Sequence, residues 1–117
     1  MGMSKLIKKN LKTDYDNPVF RLMLMDYLDT ILSKNIYTEI TVDGAVAQYS
    51  EGDFYGVLSH YRIPNKLWWF TLVLNGYKSP IDYRMEDVTI KIPDEAFISN
   101  LYAKHKASRT TVMLRNR

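Results

Sequence analysis

Residues 49–93 read YSEGDFYGVLSHYRIPNKLWWFTLVLNGYKSPIDYRMEDVTIKIP, and this stretch decides the fold. Gly52-Asp53 ends a β-prone run and opens a short helix with Asp53 as its N-cap. Phe54, Val57, Leu58 and Tyr61 follow at helical spacing. Pro64-Asn65 interrupts, and a second helix runs from about Lys66 to Leu74, with Asn75-Gly76 as its stop. A loop containing Ser79-Pro80 leads to Val88, Ile90 and Ile92, which alternate as a strand ending at Pro93. The order is strand, helix, helix, strand.

Working outward, residues 17–35 predict an N-terminal helix, with Asp16 or Asn17 as cap, Pro18 at the first helical position and Lys34-Asn35 as stop. Phe20, Leu24, Tyr27, Leu28 and Ile31 form its apolar stripe, while Leu22, Met23, Met25 and Leu32 fall outside it. A helix apolar on more than one face is buried on more than one side, which makes Met23 and Met25 candidate partner contacts. Ile36 to Val42, Asp43-Gly44 and Ala45 to Tyr49 predict a β-hairpin, because Asp-Gly suits a two-residue turn. Residues 94–107 predict a C-terminal helix that buries Phe97, Ile98, Leu101 and Tyr102. Thr110 to Leu114 has strand character, within an arm at 108–117.

The chain has 117 residues and no cysteine, so disulfides and thiolate ligation are excluded and a reducing compartment is expected. The N-terminus lacks the apolar centre of a signal peptide, and no apolar run is long enough to span a bilayer. Net charge is +3, but all 13 acidic residues lie between Asp14 and Glu95. Lys5, Lys8, Lys9 and Lys12 make residues 1–16 a basic arm. Lys104, Lys106, Arg109, Arg115 and Arg117 make the other end basic around an acidic middle. Such arms suit an acidic neighbour; an acidic body with no basic reading helix argues against nucleic acid.

Catalysis finds little support. The histidines are His60 and His105. Ser59 and His60 are helix neighbours about 100° apart, so they do not form a nucleophile–base pair. Glu86 and Asp87 project to opposite faces, and Asp82, Glu86 and Asp87 lack calcium-loop spacing. The reading is non-enzymatic, with no catalytic residue, cofactor or metal ligand.

Gly52, Asp53, Leu58, Leu74, Asn75, Pro80, Ile90, Ile92 and Pro93 together resemble the LysM module, a two-stranded antiparallel sheet packed on two helices. The expected fold is therefore α+β: a LysM-like βααβ core with an added N-terminal helix, hairpin and C-terminal helix, the hairpin and core together occupying 36–93. Phe54 stands where glycan-binding modules commonly carry a small hydroxyl residue. Leu67-Trp68-Trp69-Phe70, preceded by Tyr61-Arg62-Ile63-Pro64 and followed by Asn75 to Pro80, resembles the LysM-like wedge component of contractile phage baseplates. That resemblance implies a structural protein of the virion tail, assembled in the host cytoplasm and bound to other baseplate proteins. Its partner surfaces would be Met23, Met25, Trp68, Trp69, Tyr77 and Val112-Met113-Leu114-Arg115. The LysM resemblance implies an alternative, peptidoglycan binding through Asp53, Asn75, Tyr77 and Tyr83. Trp68, Trp69 and Phe70 cannot all enter one small core, because consecutive helical side chains fan around the axis. Either an indole faces a partner, or one lies in the central core and the other under the N-terminal helix.

Overall fold

A computed structural model of the chain describes residues 15–115, with side chains through Ser108. Residues 1–14 of the basic arm expected at 1–16 therefore lie outside the described residues, whereas Tyr15 is buried with Phe20 and Asp16 pairs with Arg21. Asn17 caps helix α1 (Pro18–Asp26) by accepting from the Val19 and Phe20 amides, with Pro18 at the first position. Tyr27 then interrupts the expected single helix, at φ −93° and ψ −2°, and α2 (Leu28–Ser33) follows. Asn35 takes positive φ, and the Ile36 amide reaches back to the Ile31 carbonyl, which ends the helical run where Lys34-Asn35 predicts.

Strand β1 (Tyr37–Thr41) lies within the expected β-run, but its partner is not the one expected. Gly44–Tyr49 is helix α3, so the hairpin expected over residues 36–49 does not form. Asp43 accepts from the Ala45 amide, so Asp43-Gly44 is an N-cap and first helical residue rather than a turn. Ala45 and Ala47 favour helix over strand, and Ala47 is buried there. β1 instead pairs antiparallel with β2 (Thr89–Pro93), with Tyr37 opposite Pro93 and Thr41 opposite Thr89. The Val42 amide extends the pairing to the Val88 carbonyl.

Between the strands lie α3, α4 (Phe54–His60), a 3₁₀ turn (Asn65–Leu67), α5 (Trp68–Leu74) and a second 3₁₀ turn (Pro80–Asp82). Asp53 caps α4 through the Gly56 amide at 3.0 Å, as expected. The class is α+β. After β2, the Asp94 amide donates to the Ile36 carbonyl and its carboxylate caps the start of α6 (Glu95–Arg115). α6 continues through Thr110 to Leu114, which are helical rather than a strand-prone arm. Adding a residue to a formed helix needs no new nucleus, so a helix already running from Glu95 carries these residues along. Their side chains lie outside the described residues.

Two apolar clusters share α5. Phe20, Leu24, Ile31, Leu67, Phe70, Leu74, Ile98 and Leu101 build the first with α1, α2 and α6. Val42, Ala47, Phe54, Val57, Leu58, Leu72, Tyr83 and Ile90 build the second around the sheet. The fan of side chains about α5 sends Phe70 and Leu74 one way and Leu72 the other. Asn75 then ties α5 to β2. Its amide oxygen accepts from the Lys91 amide at 2.8 Å, and its nitrogen donates to the carbonyls of Lys91 and Thr71, each at 2.8 Å.

Asn75→Ala leaves both main-chain groups of Lys91 without partners and should cost about 2–3 kcal/mol in urea unfolding. Asp53→Ala, which removes only a helix cap, should cost about 1 kcal/mol in the same measurement.

Candidate interaction surfaces

The Trp68-Trp69 pair sits on α5 where the two clusters meet, and neither indole is fully buried or fully exposed. Trp68 packs on the second cluster and donates from Nε1 to the Ile63 carbonyl at 2.8 Å. Trp69 packs on the first cluster, with the Arg21 guanidinium of α1 stacked 4.5 Å from its ring centre. One indole thus belongs to the central core and the other lies beneath the N-terminal helix. Between them opens a cleft of about 270 Å³ lined by Asp16, Arg21, Tyr55, Asn65, Lys66 and both indoles.

The other expected contacts divide. Met25 is exposed on α1, whereas Met23 packs partly against the first cluster. Tyr77 is half-buried, its ring edge-on to Phe54, and its hydroxyl donates to Asp87 at 2.6 Å. Arg115 closes α6, but its side chain, like those of Val112, Met113 and Leu114, lies outside the described residues.

The four residues expected for glycan are not assembled into a free sugar platform. Tyr83 is 0% exposed and donates its hydroxyl to the Asp87 carbonyl, so its ring offers no stacking face. The Asn75 amide is consumed by the Lys91 and Thr71 main chain. Asp53 is exposed but caps α4, and it lines a separate groove between α3 and α4. The underlying reason is that the loop from Tyr77 to Asp87 closes on itself. Asp82 accepts from the Lys78 and Ser79 amides in a capping box, and Asp87 holds both tyrosines.

Residues with chemical potential are dispersed. His60 is exposed on α4, while His105 is buried on α6 against Phe20 and Tyr102. Among the described residues, no group of three or more His, Asp or Glu side chains could hold a metal ion, and no helix is long and apolar enough to cross a membrane.

The sequence reading missed most of the exposed apolar surface. Val19, Leu22 and Met25 line the outer side of α1, with Leu22 at 68% exposure. Among the described residues, Tyr49, Ile81, Met85 and Val88 are the remaining large exposed hydrophobics, and Tyr49 is 93% exposed. The Gly52 amide donates to the Tyr83 carbonyl and the Met85 amide to Glu51, so the segment after Tyr49 and the 81–85 loop meet. The spacing of Val19, Leu22 and Met25 is visible in the chain as a second stripe beside Phe20 and Leu24. No comparable signal marks Tyr49, because it was read as part of a strand.

No protein-family model, no curated protein and no solved structure matches the chain.

Burial raises the Tyr77 phenol above its ordinary value of 10.0, and the hydrogen bond to Asp87 adds to the effect. Burial also raises Tyr83 and Tyr55. These phenols keep their protons in the folded chain at a pH where the unfolded chain has lost them. Their contribution is therefore present below about pH 10 and falls as pH rises beyond it. Urea midpoints should decline through this alkaline range, and Tyr77→Phe should make the decline shallower.

Proposed function

We propose that this chain is a non-enzymatic structural component of a phage tail baseplate, a LysM-like connector that joins other baseplate proteins. One observation carries the reading: among the described residues, the large exposed hydrophobics form two sets, one on the helix that packs on the first apolar cluster and one beside elements of the second. Val19, Leu22 and Met25 belong to α1, which packs on the first cluster through Phe20 and Leu24. Tyr49, Ile81, Met85 and Val88 flank elements of the second, beside Ala47, Tyr83 and Ile90. Scattered surface hydrophobics are ordinary, but grouped ones mark interaction sites. Two groups on two halves suit a part held between neighbours better than a receptor with one ligand pocket. The resemblance of Leu67-Trp68-Trp69-Phe70 and its flanking sequence to the wedge component supplies the assembly in which such a part would sit.

The C-terminal stretch fits the same role as a helix, in place of the strand character expected of Thr110 to Leu114. Beyond His105, which packs on Phe20, the residues Lys106, Ala107 and Ser108 of α6 are exposed. A basic helix running on to Arg115 is suited to lie against an acidic groove of a neighbour.

Leu22→Asp and Tyr49→Asp alter exposed side chains and should each change folding stability by no more than about 0.5 kcal/mol. Each should reduce incorporation into particles assembled from co-expressed tail proteins; incorporation equal to the wild type for both would overturn the connector reading. Ending the chain after Lys106 retains Leu101 and His105, so the core should keep its urea midpoint while incorporation falls.

A further inference from the structure

The cleft between the two indoles has a composition that selects one kind of partner group. Its walls are flat and aromatic: Trp69 carries the Arg21 guanidinium on its face, and the Tyr55 and Trp68 rings lie 5.3 Å apart with 31° between their planes. Its charge is unbalanced. Arg21 is paired with Asp16, but Lys66 pairs with no carboxylate among the described residues and rests its ammonium 5.5 Å from the Tyr15 ring. Among the described residues lining the cleft, two cations therefore face one anion.

Its hydrogen-bonding capacity is also partly unused. The Trp69 Nε1 and Tyr55 hydroxyl make no hydrogen bond among the described residues, in contrast to Trp68, whose Nε1 is committed to Ile63. Arg21 Nε is covered and has no acceptor, a rare condition for a buried polar atom. Burial raises the Tyr55 phenol, which keeps that hydroxyl a donor. The cleft thus combines a cationic excess with uncommitted N–H and O–H groups.

Size narrows the choice further. A volume of about 270 Å³ is below the roughly 300–1,000 Å³ of sites that enclose a whole small molecule, and suits a single side chain. Trp, Tyr and Arg are the residues most enriched where one inserted side chain dominates an interface. The acidic middle of the chain disfavours a polyphosphate backbone.

We infer that this cleft is the anchor pocket for one glutamate or aspartate side chain flanked by apolar residues in a segment of a partner protein. Lys66 and the Trp69 indole N–H would receive the carboxylate, while the aromatic walls hold the side-chain carbons. The inference rests on the connector reading and names the chemistry of one neighbour.

The test titrates the full-length chain, labelled with ¹⁵N, with the capped tripeptide acetyl-Leu-Glu-Leu-amide, and follows the two indole N–H signals. Saturable movement of the Trp69 signal, with the Trp68 signal nearly still, is expected at a dissociation constant on the order of 1 mM. Replacing glutamate by glutamine in the peptide should weaken binding about 10-fold, as should Lys66→Gln in the protein or a rise in salt. Lys66→Gln should leave the urea midpoint in place, which separates loss of the pocket from loss of the fold. Equal binding of the two peptides, no movement of Trp69, or an unaffected Lys66→Gln variant would overturn the inference. Tighter binding of an oligothymidylate than of the peptide would do the same. Since Leu22 and Tyr49 lie outside the cleft, failure here leaves the particle-incorporation result intact, and the two readings fall separately.

Discussion

The side-chain amide of Asn75 holds the two halves of the molecule in register. Lys91 faces Glu39 across a sheet that has two strands among the described residues, and Asn75 takes both of its main-chain groups from the other side. The same amide nitrogen reaches the Thr71 carbonyl on α5. A two-stranded sheet is marginal in water unless something packs on it. Here the support is polar as well as apolar: Asn75 occupies the main-chain groups of Lys91 at the middle of the outer edge of β2, and Ile90 is buried against the helices. Where α5 goes, the Trp68-Trp69 pair goes with it, so the position of the aromatic cleft depends on this amide.

Because α5 is shared, its sequence must satisfy two environments within one short helix. Phe70 and Leu74 face α1 and α6, Leu72 faces the sheet, and Thr71 returns its hydroxyl to the Leu67 carbonyl at 2.7 Å. The adjacent indoles follow the same division. This explains why so aromatic a helix need not be wholly exposed or wholly buried: each ring covers the edge of a different cluster, and the seam between the rings remains open. Val19, Leu22 and Met25 lie on the opposite side of α1 from the residues that contact α5.

Legibility in the chain followed the reach of the forces involved. Local signals read well. The Asn17 and Asp53 caps, Pro18 at a first helical position, the stop at Lys34-Asn35 and the alternation of β2 depend on neighbouring residues alone. The false hairpin arose because Asp-Gly serves both as a turn and as a cap with a following helix, and only the alanines after it distinguish the two. The true partner of β1 lies far along the chain, where no local pattern names it. For the surface, Met25 was legible because a helix with too many apolar faces announces itself. Tyr83 was not: a tyrosine in a polar loop looks like a ligand platform until Asp87 and Phe54 are seen to enclose it.

The pairing of β1 with β2 also bears on how the chain matures. Everything from Val42 to Val88 must be made between the two strands, so β1 leaves the ribosome with Ile40 and its backbone edge unmatched. Non-local closure of this kind is slow compared with helix formation, and α3, α4 and α5 can form while β1 waits. Only when Pro93 and Asp94 have been added does the Asp94 amide latch onto Ile36 and complete the ring of contacts. The residue that caps α6 is thus also the one that fixes the start of β1 in place.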